Sequence, residues 1–267
     1  LEEVSASHSL VYVPSHRSHL DYLLLSYLLY YRGFMIPHIA AGDNLNLPVL
    51  GGVPRRGGAF FMRRSFRDNP LYAAVFNEYL YQVYRRGHCV EFFPEGGRTR
   101  TGRLLAARMG LIKMTVDHQR RGLPKPLAFV PVYFGYEKVV EGSSYLSELR
   151  GADKQSESVL DVFRNLKLIR QDFGHVKVNV GTPILLDEWL AQNAQLDETA
   201  QLQSLGAEIM VGINREANLN AVNLIALFTL STAKVAIEEV PLKDQVAIYQ
   251  QLLGGSSDDK GITVCQD

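Results

Sequence analysis

Short apolar runs alternate with polar or amphipathic segments along the first two thirds of the chain. Runs of this length, with turn residues on either side, are typical of strands that are buried on both faces. We predict strands over Ser9–Val13, Ala59–Met62, Cys89–Phe93, Leu127–Phe134 and Val176–Val180, with a further apolar run over Met35–Ala41.

Several segments between these runs have the spacing of helices. In Pro70–Arg86 the residues Leu71, Val75, Tyr79 and Val83 recur every four positions, which predicts an amphipathic helix. Further helices are predicted over Ser18–Arg32, Leu104–His118 and Val159–Ile169, and several more, without strands between them, over Leu186–Leu253.

The alternation of strands and helices indicates an α/β fold. We predict a mixed, largely parallel, twisted sheet that is flanked by helices, followed by a helical C-terminal portion. This places one domain at residues 1–185 and the helical portion at residues 186–267. The chain begins at Leu1 and not at a methionine, so we expect a piece of a longer protein.

The formal net charge is zero, but the charges are unevenly distributed. Between Pro54 and Arg121, fourteen basic residues stand against five acidic ones, and thirteen of the fourteen are arginine. After Gly151 the acidic residues outnumber the basic ones. The planar guanidinium suits bidentate contacts with phosphate. We therefore expect a phosphate-bearing partner at the first half, although most surface arginines are simply solvated.

The two cysteines, Cys89 and Cys265, support neither a disulfide framework nor a zinc ribbon, which indicates a reducing compartment. The longest apolar stretch, Tyr22–Tyr31, has about half of the ~20 residues that a membrane-spanning helix needs. We expect no segment that crosses a membrane.

His16 and Asp21 lie where the first predicted strand gives way to a helix. On one continuous helix they would point about 140° apart, so they need a bend between them to cooperate. Ser18, as an N-cap residue, would supply that bend and leave His16 in the loop. A carboxylate bonded to one imidazole nitrogen prepares the other to accept a proton from a hydroxyl. Alternatively, Ser18 and Asp21 only cap the helix.

Two further clusters also follow predicted strands directly. Arg63 and Arg64 directly follow the predicted strand that ends at Met62. One guanidinium of the pair is expected to clamp a phosphate there. In the next loop, Gly96 and Gly97 allow backbone amides to approach an anion, and Arg98 adds positive charge. An ordinary glycine-rich turn is the alternative for that loop.

Other reaction types have weaker support. His16, His19 and Asp21 resemble part of a metal site, but no His-Glu-x-x-His or paired-cysteine motif accompanies them, so we predict no metal. The chain also has no Gly-x-Ser-x-Gly, Gly-Lys-Ser/Thr or Gly-x-Gly-x-x-Gly motif, which argues against a serine hydrolase, a P-loop enzyme and a dinucleotide-binding protein.

The order of these clusters resembles the four sequence blocks of the glycerolipid acyltransferase family over about Leu10–Pro183. The Glu-Gly-Gly-Arg form of the third block is similar to members that act on glycerol 3-phosphate, whereas lysophosphatidate acyltransferases more often have Glu-Gly-Thr-Arg. The matching segments are His16 to Asp21, Gly58 to Arg64, Phe93 to Arg98 and Val130-Pro131-Val132.

The resemblance implies a glycerol-3-phosphate acyltransferase-like fold and the first step of phospholipid synthesis. A fatty acyl group would pass from a coenzyme A or acyl carrier protein thioester to the sn-1 hydroxyl of glycerol 3-phosphate, giving lysophosphatidate. The resemblance implies catalytic roles for His16 as general base, Asp21 as its orienting partner and Glu95. Residues that it implies around the acceptor are Arg63, Arg64, Gly96, Gly97, Arg98 and Pro131.

The resemblance also implies that no cofactor is needed beyond the thioester co-substrate, and that no nucleic acid is bound. It implies a peripheral or monotopic position on the cytoplasmic face of a bacterial inner membrane, with the lipid surface as a partner. Three alternatives stay open: a lysophosphatidate acyltransferase, a non-catalytic lipid-binding domain, and a metal-dependent phosphohydrolase that uses His16, His19, Asp21 and Glu95.

Overall fold

The computed structural model describes residues 1–43, 55–63, 65–66, 69–151, 174–233, 236–254 and 263–264. Its centre is a seven-stranded sheet in which the strand order is β3-β2-β4-β1-β5-β6, with β7 also paired to β5. The strands are β1 (Ser9–Pro14), β2 (His38–Gly42), β3 (Ala59–Met62), β4 (Val90–Glu91), β5 (Leu127–Tyr136), β6 (Val176–Val180) and β7 (Ile184–Leu185).

Strands β1 to β5 run parallel to one another, and β6 and β7 pair antiparallel with β5. In this register Val11 of β1 lies beside Val90 of β4 and Phe129 of β5. The mixed, largely parallel sheet predicted from the sequence is therefore confirmed. Because β1 to β5 are parallel, their carboxyl ends meet at one edge of the sheet, where α/β proteins usually bind ligands.

Nine helices lie within the described residues, and none of them is both long and apolar enough to cross a bilayer. A short parallel pairing of β8 (Asn218–Leu219) with β9 (Thr263–Val264) accompanies the C-terminal helices. The helices are α1 (Glu2–Ser7), α2 (Asp21–Tyr31), α3 (Pro70–Arg85), α4 (Met109–Arg121), α5 (Gly142–Leu149), α6 (Leu186–Gln192), α7 (Glu198–Arg215), α8 (Ala221–Ser231) and α9 (Glu239–Gly254).

Helices cover both faces of the sheet. On one face, Leu25 and Leu29 of α2 pack against β1 and β5. On the other face, apolar residues of α3, α4, α6 and α7 form one continuous cluster with the sheet. Ile209 and Ile213 of α7 are fully buried in that cluster, and burial of each such side chain contributes about 1.5–3 kcal/mol. The helical C-terminal portion thus supplies part of the main core.

Helix α3 forms where its spacing predicts it, but the residues that revealed it do not form its buried face. Leu71 and Val75 are 75% and 61% exposed, whereas Phe76 and Leu80 are buried. Each step of four residues turns a helix by 400°, so a row spaced this way drifts 40° per step around the axis. The row from Leu71 therefore reaches the core only at Val83.

Two helices begin later than predicted because the preceding residues bond elsewhere. Helix α2 begins at Asp21 and not at Ser18, since the Asp21 carboxylate accepts the Ser18 amide hydrogen at 2.9 Å. Helix α4 begins at Met109 and not at Leu104, since the Leu105 amide donates to Glu95 at 2.7 Å. Both bonds hold the chain in a loop.

Two other predictions concern the second half of the chain. The region predicted to lack strands contains β8, because the chain returns at Thr263–Val264 to pair with it. The helix predicted over Val159–Ile169 lies outside the described residues.

Candidate active site

Two loops lie side by side at the carboxyl edge of the sheet. The first follows β1 and carries His16, and the second follows the neighbouring strand β4. The Thr99 amide of the second loop donates to the His16 carbonyl at 3.0 Å. The His16 ring stacks on Phe93, with 3.8 Å between ring centroids. The sheet order thus brings together two sequence blocks that lie almost eighty residues apart.

His16 and Asp21 form the bonded pair that the sequence predicts. Nδ1 of His16 lies 3.0 Å from Oδ2 of Asp21, and the imidazole is 14% exposed while the carboxylate is fully buried. Because a carboxylate only accepts hydrogen bonds, a neutral His16 imidazole carries its proton on Nδ1 and leaves the lone pair on Nε2. This is the tautomer in which Nε2 can accept a proton from a substrate hydroxyl.

Asp21 also organises the loop that leads to it. Besides Nδ1 of His16, its Oδ2 atom accepts the amide hydrogens of Arg17 at 2.7 Å and Ser18 at 2.9 Å. Its Oδ1 atom accepts the Tyr136 hydroxyl hydrogen at 2.6 Å. Burial, with the adjacent Asp21 charge, raises the pKa of Tyr136 far above its usual value, so this hydroxyl stays a donor. Four donors fix the carboxylate beneath His16.

Glu95 supports the loops through the backbone. Its Oε1 accepts the His16 amide hydrogen and its Oε2 accepts the Leu105 amide hydrogen, both at 2.7 Å. The side chain is 2% exposed, and burial raises its pKa even though the two amides oppose that shift. The catalytic role that the resemblance implies for Glu95 stays a prediction. In the structure its two oxygens join two loop segments.

The positions of Gly96 and Gly97 differ in whether they could accept a side chain. Gly96 has a φ of +67°, and a Cβ atom there would lie 2.9 Å from Cγ of Arg108, so a side chain would be strained and crowded. Nothing lies within 4 Å of the corresponding position at Gly97. The turn therefore demands glycine at position 96 and leaves open space at position 97.

Arg98 is held at the site by groups of the protein itself. Its Nη1 donates to Oε1 of Glu141 at 3.3 Å and to the Tyr145 hydroxyl at 3.0 Å. Arg100 beside it donates from Nε to Glu148 at 3.0 Å. Both guanidinium groups of this loop therefore already have carboxylate partners, and the role of Arg98 toward a phosphate stays a prediction.

The other predicted residues lie farther from His16. Arg63 follows β3 at the same edge of the sheet, and its guanidinium lies 4.8 Å from the Tyr72 ring centroid. Strands β2 and β4 separate β3 from β1, which corresponds to roughly 14 Å at the usual strand spacing. Arg64 lies outside the described residues.

Pro131 lies within β5 beside Val13 and faces α7. A Cβ atom added at Gly212 of α7 would lie 2.9 Å from Cγ of the Pro131 ring. Pro131 and Trp189 help line a cavity of about 370 Å³ between the sheet and the C-terminal helices. The structure therefore gives Pro131 a packing position between β1 and α7.

A third carboxyl group lies buried close to this network. Glu91 of β4 is paired in register with Tyr12 of β1 and is fully buried. Neither of its oxygens has a hydrogen-bond partner among the described residues. Burial, and then the nearby Asp21 charge, raises the pKa of Glu91 well above its ordinary range. Within the sheet, burial therefore favours the protonated form of this acid.

Within the described part of the chain, no group of three or more histidine, cysteine or acidic side chains is arranged to hold a metal ion. Both Glu95 oxygens and both Asp21 oxygens already accept hydrogen bonds from the protein.

Sequence reasoning missed several residues that contact the site. Tyr136 ends β5, so its place at the carboxyl edge follows from the strand order and could have been inferred. Glu141 and Tyr145 lie in and before α5, and no motif marks them. They reach the site only because the chain after β5 folds back over the two loops.

Comparison with known proteins identifies the family of the chain. Residues 1–135 match the family model described as acyltransferase, and residues 145–265 match the glycerol-3-phosphate acyltransferase C-terminal region. The chain belongs to the acyltransferase family.

Among curated proteins, the glycerol-3-phosphate acyltransferases of Ectopseudomonas mendocina and Pseudomonas putida strain W619 are each 48% identical to the chain. In both cases the match covers 95% of the chain and 32% of the relative. The chain thus spans about a third of the length of these relatives. A crystal structure of a 1-acyl-sn-glycerophosphate acyltransferase from Thermotoga maritima shows 17% identity and a TM-score of 0.43, over 76% of this chain and 64% of that one.

Proposed function

We propose that this chain is the catalytic part of a glycerol-3-phosphate acyltransferase that transfers a fatty acyl group from a coenzyme A or acyl carrier protein thioester to the sn-1 hydroxyl. The observation that carries the proposal is the His16–Asp21 pair at the carboxyl edge of the sheet, with Nδ1 committed to the carboxylate. The names of the relatives support glycerol 3-phosphate as the acceptor.

In the proposed reaction, Nε2 of His16 removes the proton from the acceptor hydroxyl. The hydroxyl oxygen attacks the thioester carbonyl, the carbon–sulfur bond breaks, and the departing thiolate takes up the proton from the imidazolium. Asp21 stabilises the imidazolium that forms in between, because its buried carboxylate lies 3.0 Å from Nδ1. The products are lysophosphatidate and a free thiol, and no acyl-enzyme intermediate is needed.

The acceptor phosphate is proposed to bind near the loop that carries Arg98, with further positive charge from Arg63, which follows β3 at the same edge of the sheet. The resemblance adds Arg64 to this set. Arginine suits this role because its planar fork binds phosphate bidentately. The concentration of arginine between Pro54 and Arg121 supports it.

The test measures thiol release from palmitoyl coenzyme A by the full chain in detergent, with and without glycerol 3-phosphate. Release should require the acceptor, and His16→Ala should lower it by roughly 10²- to 10⁴-fold, the usual contribution of a general base. His175→Ala is the matched control, because that imidazole is 94% exposed and its only ion-pair partner among the described residues is Glu137.

Release that does not need an acceptor would indicate a hydrolase and overturn the proposal. A preference for 1-acyl-glycerol 3-phosphate over glycerol 3-phosphate would identify a lysophosphatidate acyltransferase instead. Undiminished activity of His16→Ala would assign the base elsewhere.

We also propose that the chain works at a lipid surface, on the cytoplasmic face of a bacterial inner membrane. Tyr27, Tyr30 and Tyr31 on the outer side of α2 are 62%, 70% and 75% exposed, and tyrosine is enriched at membrane interfaces. Replacing the three by serine should weaken co-sedimentation with phospholipid vesicles. Equal sedimentation of variant and parent would refute this surface.

A further inference from the structure

We propose that Glu141 is a positioning residue that joins the His16 loop and the Arg98 loop into one acceptor site and thereby sets the affinity for the phosphorylated acceptor. The inference rests on the proposed function and deepens it. Glu141 lies in none of the four sequence blocks, and no motif points to it.

The carboxylate of Glu141 bonds to both loops at once. Oε2 accepts the Ser18 hydroxyl hydrogen at 2.8 Å, and Oε1 accepts the His19 amide hydrogen at 2.8 Å. Oε1 also accepts from Nη1 of Arg98 at 3.3 Å. Ser18 lies two residues from His16, and Arg98 lies three residues from Glu95. One side chain therefore links the segment that carries the base to the segment that carries the guanidinium.

The position of Glu141 in its own helix argues against a purely local role. It is the N-cap residue of α5, where a polar side chain usually accepts an amide hydrogen from the first turn. No such bond is present in α5. Instead, its two oxygens reach groups that lie 43 and 122 or more residues away in the sequence. The carboxylate is thus used for a long-range connection.

Burial makes this connection costly to break. Glu141 is 6% exposed, and Ser18 and His19 are 0% and 7% exposed. A buried carboxylate is tolerated only when donors or cations surround it, and Glu141 has two neutral donors and one guanidinium. Its loss would leave the donors of Ser18 and Arg98 without that acceptor in a place that water scarcely reaches.

Helix α5 adds a second connection of the same kind. The Tyr145 hydroxyl donates to the Arg17 carbonyl at 2.9 Å and accepts from Nη1 of Arg98 at 3.0 Å. Nη1 of Arg98 therefore lies between Glu141 and Tyr145, which fixes the direction of its guanidinium. A phosphate that binds to Arg98 meets a group that is already oriented, so less side-chain entropy is lost on binding.

The experiment compares Glu141→Gln with Glu137→Gln in the full chain. Gln keeps the size of the side chain but removes the charge that holds Arg98. Glu137 is the matched control, because it lies four residues earlier and its carboxylate accepts the His175 amide hydrogen, away from both loops. For Glu141→Gln we expect KM for glycerol 3-phosphate and Ki for inorganic phosphate to rise by roughly 10-fold or more. KM for palmitoyl coenzyme A should stay within about twofold of the parent value, because the variant weakens only the binding of the acceptor.

Backbone amide exchange provides a second measurement that does not depend on catalysis. The His19 amide hydrogen should exchange faster in Glu141→Gln than in the parent. In Glu137→Gln its exchange rate should be the same as in the parent. If the parent shows no transfer to glycerol 3-phosphate, the proposed function fails, while the exchange of His19 and the binding of inorganic phosphate still test Glu141. Unchanged KM, Ki and exchange would overturn the inference. The inference would also be overturned if kcat fell in proportion to the fraction of folded protein while KM and Ki stayed the same, because that result would show only a structural effect.

Discussion

Asp21 contributes both a negative charge and hydrogen bonds to the His16–Asp21 pair. We predict that the charge accounts for most of the activity that the pair provides. Asp21→Asn tests this because the site can accept the amide with little rearrangement. The amide oxygen can take the place of Oδ2 and accept from His16, Arg17 and Ser18, while the amide nitrogen replaces Oδ1 and donates to the Tyr136 oxygen. The negative charge is lost, and the Tyr136 hydroxyl hydrogen loses Oδ1 as its acceptor.

The magnitude follows from the distance between the charges. At an effective dielectric constant of about 20, an imidazolium and a carboxylate ~3 Å apart attract each other by about 5 kcal/mol. The amide dipole recovers part of this, so we expect the barrier to rise by about 3–4 kcal/mol, which lowers kcat by roughly 10²- to 10³-fold. KM for both substrates should change little, since Asp21 is fully buried and its oxygens bond to groups of the protein itself.

The assay is steady-state thiol release, together with thermal unfolding of each variant. Asp21→Asn should unfold within a few degrees of the parent. Asp21→Ala should lose activity and also stability, because it leaves two amides and the Tyr136 hydroxyl without their buried acceptor. A loss of kcat below about fivefold in a fully folded Asp21→Asn would refute the assignment of Asp21 as the electrostatic partner of the base.

Two further predictions concern groups around this pair. Tyr136→Phe removes one donor to Asp21 but keeps the charge, so kcat should fall by about 10-fold; a loss as large as that of Asp21→Asn, or no loss, would contradict this. Glu91→Gln should stabilise the chain increasingly as pH rises. Burial raises the folded-state pKa of Glu91 above its unfolded value. Between these two pKa values, the free energy of unfolding of the parent falls by up to about 1.4 kcal/mol for each unit of rising pH. Urea unfolding at pH 5 and pH 7 measures this, and a difference between variant and parent that is independent of pH would speak against a buried neutral acid.

The parts of the fold that the sequence predicts well are those in which local pattern and burial agree. The central strands β1 and β5 are covered on both faces, so they are continuous apolar runs in the sequence. His16 and Asp21 were recognisable because a polar motif directly follows such a run. The carboxyl edge of the sheet then follows from the parallel strand order.

The parts that were missed depend on contacts distant in sequence. The start of α4 at Met109 is set by Glu95, and the position of Arg98 is set by Glu141, 43 residues later. The buried face of α3 is selected by the core that it packs on, since the helix has apolar residues on more than one side. No window of local sequence contains this information.

The packing of α6 and α7 determines how the chain can be divided. Trp189, Leu205, Ile209 and Ile213 belong to the same cluster as Val11 of the central strand, so residues that follow β7 share with α3 and α4 the covering of one face of the sheet. A truncated chain that stopped near residue 185 would lose the helices that pack on β5 and β1 and would expose this part of the core to water. We therefore expect the cooperative folding unit to include α6 and α7 and to extend past the change from strands to helices.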